Sequence, residues 1–233
     1  MPTTADTQFM GFGPDGLAVL SGLRSNNTRE FFEANRAAFE RDVLEPAKLL
    51  VDDLGERLRA TVAPNLVADP RVDRSIFRLH RDVRFSADKA PYKTRQAMFL
   101  WEGADKKTSP GFYLSVSGDE VGFGIGFMNI ADVDRWREAV ADDVTGPAFV
   151  SALRKAEAEQ GAVVDLEPAL KRVPKPYPAD HPRERWLRHK GFRAATSVDL
   201  PPEATTPAFV EWCATRFASF APLHRWLVDN VVA

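Results

Sequence analysis

Five cations crowd one short stretch of this chain, RLHRDVRFSADKAPYK from Arg78 to Lys93: Arg78, Arg81, Arg84, Lys89 and Lys93. Only Asp82 and Asp88 oppose them there. The chain as a whole is slightly acidic, with 31 Lys+Arg against 33 Asp+Glu, so the excess is local. Cations this dense repel one another unless something negative offsets them. The chemistry on offer is anion recognition. Guanidinium forks match phosphate or carboxylate, a lysine adds a point charge, and Tyr92 adds a hydrogen bond. The ligand-binding set expected on this reading is Arg78, Arg81, Asp82, Arg84, Ser86, Lys89, Tyr92 and Lys93. A structural reading stands beside it. In that reading Asp82 and Asp88 tie the arginines together, and Glu30, Glu33 or Asp180 supplies the remaining acid.

A second group with chemical capacity is Asp180-His181-Pro182. Pro182 suits the first turn of a helix, which places Asp180 or His181 at a cap. The same pair offers a weak catalytic candidate, with Asp180 orienting His181 as acid or base.

Other motifs fail on context. Gly11, Gly13 and Gly16 match G-x-G-x-x-G, but the residues before them are too few and too polar for the strand a nucleotide loop needs. Pro14 also removes an amide from the loop, so the motif reads as a helix-start turn. His80-Arg81-Asp82 imitates a kinase catalytic loop without its downstream Asn, since position 87 is Ala87. Ser86 and Lys89 have S-x-x-K spacing without the partner elements of such enzymes, so Ser86 reads as a turn cap. His80, Asp82 and His181 lack metal-ligand spacing, and the neighbouring arginines would repel a cation. No metal and no cofactor are expected.

The scaffold that carries these residues has the composition of an ordinary globular protein, 44% hydrophobic and 27% charged. A net charge of −2 argues against a general nucleic-acid or membrane-surface binder. The only cysteine, Cys213, excludes an internal disulfide and a Cys-based zinc site. The N-terminus shows no signal peptide, and no apolar run is long enough to span a bilayer. The expected location is the cytoplasm, and the expected partner is a small anionic ligand rather than a membrane or nucleic acid.

Helical periodicity opens the chain with Leu17, Leu20 and Leu23. A second helix is expected to be capped by Asn27 with Glu30 in a capping-box spacing. It carries Phe31, Phe32 and Phe39, and Glu45-Pro46 is expected to interrupt it. Leu50, Leu54 and Leu58 mark the next helix. Ser75 to Phe85 alternates apolar and polar residues and reads as a strand, placing Phe77 and Phe85 in the core. Further strands are expected over 94–101, 112–117, 121–127 and 192–200, with a hairpin at Gly118-Asp119. Glycines 122, 124 and 126 leave one face of their strand bare, which points to close approach of another element or a ligand. Helices are expected over 132–142, 147–160 and 183–189, and the chain closes in helices carrying Phe209, Cys213, Phe217, Leu223, Trp226 and Leu227. The fold class is α+β. One domain over 1–233 is expected, a central antiparallel meander flanked by N-terminal and C-terminal helices.

The order NN-x-x-E-F-F-x-x-N-R-x-x-F-E (Asn26 to Glu40), R-x-x-R-D-V-R-F-S-x-D-K-x-P-Y-K (Arg78 to Lys93), then D-H-P and L-R-x-K (Asp180 to Lys190), resembles an uncharacterised bacterial domain-of-unknown-function family, DUF2461. The resemblance covers roughly residues 9 to 229. It implies signature positions but no reaction: Asn26, Asn27, Glu30, Asn35, Arg36, Arg78, Arg81, Asp82, Arg84, Ser86, Asp88, Lys89, Tyr92, Lys93, His181 and Lys190. Relatives tend to carry a Gly-Gly-x-W-like segment after the hairpin, where this chain reads GFGIGFMN.

Function is therefore open among three readings. The first is a binding protein for a small phosphate- or carboxylate-bearing ligand at the 78–93 block. The second is an enzyme that uses that pocket with His181. The third is a non-enzymatic interaction module whose block is a structural network. The last expects Arg84→Ala and Lys89→Ala to unfold the protein. Nucleic-acid binding is not expected, because strand periodicity leaves only Tyr92 free to stack on a base.

Overall fold

A computed structural model describes residues 8–232. The N-terminal layer is helical. Helix α1 spans Pro14–Ser25 and buries Leu17, Leu20 and Leu23; α2 spans Arg29–Phe39. The cap of α2 is Thr28, whose side chain accepts from Phe31 N, and not Asn27. Asn27 turns instead toward Tyr92. The expected interruption before Pro46 takes the form of a π-helical segment, Glu40–Leu44, running directly into α3, Glu45–Thr61. Proline has no N–H for the carbonyl four residues back, which here is Asp42. The freed Asp42 carbonyl accepts from Gly13 N at 2.9 Å instead. The Asp42 carboxylate also accepts from Gly16 N at 3.3 Å, in the first turn of α1. The glycine-rich start of α1 is thus closed by the protein's own carboxylate.

The strand expected over 75–85 does not form as a regular element. The segment is an extended arm that pairs intermittently with residues 91–99. Phe99 N donates to Ser75 O, Phe77 N to Ala97 O, Lys93 N to Leu79 O, and Arg81 N to Pro91 O. Pro91 has no N–H to return. Between the Phe77–Ala97 and Leu79–Lys93 bonds the chain advances two residues on one side and four on the other, so the ladder breaks. Ser86 N donates to Val83 O and closes a turn. Alternation ends there, and Phe85, expected in the core, is 95% exposed at the tip.

The sheet comprises β1 (Gln96–Trp101), β2 (Gly111–Val116), β3 (Glu120–Phe127), β4 (Val163–Val164) and β5 (Phe192–Asp199). Its order is β1-β2-β3-β5-β4, and every pairing is antiparallel. The α+β class is that read from the sequence, as is the meander of the first three strands. The two-residue β4 was not expected and makes one edge. Helices α4 (Val133–Ala141), α5 (Thr145–Gln160), α6 (Glu184–Leu187), α7 (Phe209–Ser219) and α8 (Ala221–Val231) complete the chain. Asp132 caps α4 by accepting from Asp134 N and Arg135 N. None of the described helices is long and apolar enough to cross a membrane.

Strand register divides the sheet into two unlike faces. One carries Met98, Leu100, Phe112, Leu114, Phe123, Ile125, Phe127 and Phe192, all buried. The later helices pack there: Phe112 meets Phe217 at 5.0 Å between ring centroids, and Trp136 meets Phe192 at 5.9 Å. Aromatic pairs at such spacings add to the burial of their area. The opposite face aligns Ala97 with Ser115, Gly122 and Ser197, and Phe99 with Tyr113, Gly124 and Ala195. It is small, polar and aromatic, which is not the composition of a helix-packing surface.

Candidate functional site

Three cavities open over this second face; a separate one, about 430 Å³, lies between α2 and Arg78, Leu79 and His80 of the arm. The first, about 640 Å³, is walled by Arg24 and Asn27 from the end of α1, by Phe77, Arg81, Tyr92 and Lys93 of the arm, and by Arg95, Ala97 and Tyr113. The second, about 550 Å³, lies between Phe77, Phe99, Tyr113 and the end of β3. A third, about 450 Å³, has Gly122 and Ser115 on its floor and Arg95, Tyr113 and Arg193 around it. Tyr113 borders all three. They meet at Tyr113 along one cleft, and each by itself is in the size range of small-molecule sites.

The arm is held at the cleft by Asn27. Its amide donates to Leu23 O at 2.9 Å and to Tyr92 O at 3.0 Å, and its carbonyl accepts from Tyr92 N at 2.9 Å. The two bonds to Tyr92 repeat the pairing a neighbouring strand would make. The Tyr92 ring is buried against Phe32 at 4.5 Å and His80 at 5.5 Å between centroids. A ring so enclosed cannot stack on a nucleobase. The exposed aromatic of the arm is Phe85, which corrects the geometry assumed from strand periodicity.

The remaining expected site residues divide into two groups. Arg84 forks onto Asp82 at 2.9 and 2.7 Å, and its backbone N–H also bonds that carboxylate at 3.2 Å. Arg84 and Asp82 are 77% and 60% exposed. Arg78 pairs with Asp73, an acid outside the block. Lys89 Nζ donates to Val83 O at 3.0 Å. Ser86 sits in the turn, and neither it nor Arg84 nor Lys89 lines the three cavities. These residues tie the arm to itself. The hydrogen bonds from Arg84 hold the Asp82 carboxyl below its ordinary range, as the Ala90 amide and then Arg81 do for Asp88.

Arg81 and Lys93 face the cleft. Arg81 bonds Asp88 at 2.5 Å and Ala90 O at 3.1 Å. Lys93 Nζ donates to Arg78 O at 2.8 Å and lies 5.3 Å over the Phe77 ring. Burial pushes the Lys93 ammonium below the usual lysine range, with Asp73 opposing that shift.

Because the Arg84–Asp82 pair is solvent-exposed, its energetic weight is small. Arg84→Ala and Lys89→Ala are each expected to fold normally, with melting temperatures within about 2 °C of wild type by differential scanning calorimetry. Cooperative unfolding displaced by more than about 8 °C in either variant would restore the purely structural reading.

His181 stands elsewhere. Its Nδ1 accepts from Arg183 N at 3.1 Å, just ahead of α6. Arg183 fastens that helix to the end of α4 through Val140 O at 2.6 Å and Ala141 O at 2.7 Å. The ring closes the turn before α6, whose N-cap is Arg183 with no side-chain cap bond, so neither Asp180 nor His181 is the expected cap; His181 lines none of the three cavities. Asp180 makes no side-chain bond among the described residues and is exposed.

Sequence reasoning missed Arg95, Tyr113, Lys106 and Arg193. The alternating glycines of β3 marked the face, but the side chains that stand over them come from other strands. The register Tyr113↔Gly124 and Gly126↔Arg193 reveals two of them, while Arg95 just precedes β1 and Lys106 lies in the β1–β2 connection. It also missed a buried pair behind the sheet, His224 Nε2 to Glu102 Oε2 at 2.7 Å. Among the described residues no cluster of three or more metal-ligating side chains occurs.

Comparison with known proteins returns a family and nothing finer. Residues 15–226 match the family described as conserved hypothetical protein (DUF2461). No curated protein and no solved structure matches the chain. The match spans α1 through most of α8 and takes in the arm, the sheet and both helical layers. This chain belongs to the DUF2461 family.

Proposed function

We propose that this protein binds a small anionic ligand, bearing phosphate or carboxylate, in the cleft between the 75–93 arm and the glycine-floored sheet face. The observation that carries the reading is Arg95. Its side chain borders two of the three cavities, and among the described residues it has neither a carboxylate nor a hydrogen-bond partner. Arg78, Arg81 and Arg84 are already matched by Asp73, Asp88 and Asp82. Lys93 stands on the same cavity as Arg95, with the ion pair Arg81–Asp88 and with Arg24, which is matched by Asp119, and Tyr113 adds a phenol. An exposed guanidinium fork beside other cations is the arrangement that a bidentate oxyanion neutralises.

The proposal refines the expected residue set. Arg81, Tyr92 and Lys93 line the cleft, joined by Arg95 and Tyr113. Arg78, Asp82, Arg84, Ser86 and Lys89 hold the arm in shape. His181 has no part in it.

A thermal-shift titration with inorganic phosphate and short dicarboxylates at low ionic strength tests this. Ligand bound only to the folded state stabilises it by about 2.7 kcal/mol at one hundred times Kd. Wild type is expected to gain several degrees. Arg95→Ala is expected to melt at the wild-type temperature without ligand and to gain none with it. A shift of equal size in the variant would remove Arg95 and this cleft from consideration.

A further inference from the structure

The second cavity differs in character from the first. Its apolar walls are the side chains of Phe77, Phe99, Tyr113 and Met128 over the backbone of 125–127, and Asp73, Lys106, Lys107 and Arg193 stand at its rim. Met128 is 59% exposed, an apolar side chain left at the mouth. Phe77 and Tyr113 form the partition between this apolar chamber and the cationic one. The Phe77 ring carries two ammonium groups, Lys106 Nζ at 3.9 Å and Lys93 Nζ at 5.3 Å from its centroid. Each is anchored by one backbone carbonyl, Arg74 O for Lys106 and Arg78 O for Lys93, which leaves donors on both.

We infer that the ligand of this cleft is an aromatic carboxylate, its ring housed between Phe77, Phe99, Tyr113 and Met128 and its carboxylate directed to the Lys93–Lys106 side. This rests on the anion-binding reading and assigns its chemical class. Apolar walls with a few convergent polar groups are how small-molecule sites combine affinity with orientation. A volume of about 550 Å³ accommodates a fused two-ring acid. The charge balance points the same way. Burial lowers both lysine pKa values, and the groups facing Lys106 are Asp73, Lys93 and Arg74. Asp73, the one acid among these, is already paired with Arg78. An incoming carboxylate supplies the charge that this corner lacks.

The test is isothermal titration at low salt with three probes: 2-naphthoate, acetate and the neutral 2-naphthalenemethanol. Wild type is expected to bind 2-naphthoate at least tenfold more tightly than either of the others. Met128→Glu places a carboxylate at the chamber mouth from an exposed position, so the fold is retained. It is expected to weaken 2-naphthoate at least tenfold and acetate by a smaller factor. Equal affinity for 2-naphthoate and the alcohol overturns the inference, as does unchanged 2-naphthoate binding by Met128→Glu. Arg95-dependent binding of phosphate with no preference for 2-naphthoate over acetate overturns the aromatic class alone. Absence of binding by every anion removes the anion reading together with it.

Discussion

His224→Phe is expected to lower the melting temperature by roughly 10 °C. His224 and Glu102 are 1% and 7% exposed and face each other at 2.7 Å, behind the sheet and beneath α8. The imidazole stacks on Phe112 at 4.6 Å between centroids, so phenylalanine preserves the shape. What it removes is the partner of a buried carboxylate, a loss of about 3–5 kcal/mol. In a domain of this size each kcal/mol moves the melting temperature by roughly 2–4 °C. Replacing both partners, His224→Phe with Glu102→Leu, is expected to recover part of the loss, because no buried charge is then left alone.

The pH dependence of the same pair has a definite sign. The hydrogen bond from His224 is the main influence holding the Glu102 carboxyl below its ordinary value, and burial opposes it. The folded state therefore binds fewer protons than the unfolded one in the acid range. That contribution is complete above the ordinary carboxylate range and is lost as pH falls through the depressed value. In His224→Phe burial is opposed by Asn65 alone, so the depression of the Glu102 carboxyl is smaller. Urea midpoints measured from pH 7 down to pH 3 are expected to converge between wild type and variant at the acid end. A constant gap over that interval would show that Glu102 is not the group involved.

The second large effect concerns β3. Gly124→Ala is expected to prevent stable folding, whereas Gly122→Ala is expected to be tolerated. A Cβ on Gly124 would stand 2.4 Å from Ala194 O and 2.6 Å from Ala195 Cα, both backbone atoms of β5. Backbone cannot yield without parting the two strands, and overpacking of this kind exceeds the usual ~1–3 kcal/mol. A Cβ on Gly122 would meet Ser115 Oγ at 2.8 Å, a side-chain end that can rotate away. Circular dichroism melts of the two variants decide the matter. Similar melting temperatures for both would mean that β5 can withdraw at no great expense. The comparison also separates the two readings of these glycines: Gly124 serves the approach of β5, and Gly122 forms the floor of the cleft.

Much of this architecture was legible in the chain. Period-two alternation located β1, β2, β3 and β5 to within a few residues, and the leucine and phenylalanine spacing located the helices. The arm defeated that reasoning because alternation reports which face a side chain takes, not whether the backbone has a continuous partner. Pro91 and the turn at Ser86 deprive 75–85 of one, so Phe85 leaves the core. The cation cluster was visible as charge, but its pairing depended on Asp73, which lies just before the block. Arg95 and Tyr113 were invisible as site residues because each sits in a strand-like stretch, and only the folded cavities they share bring them together. Asn27 looked like a helix cap because its spacing to Glu30 is correct. Thr28, one residue on, wins the cap and frees Asn27 to clasp Tyr92.

That clasp has a consequence in time. The β1–β2–β3 hairpins join neighbours in sequence, whereas Asn27 and Tyr92 are 65 residues apart, Glu102 and His224 are 122 apart, and Arg57 and Glu211 are 154 apart. Closing a long loop loses chain entropy before any contact rewards it. A refolding chain accordingly gains its hairpins early and its long-range fastenings late. The cleft, whose walls come from the end of α1, the arm and all five strands, acquires its shape only when those last contacts close.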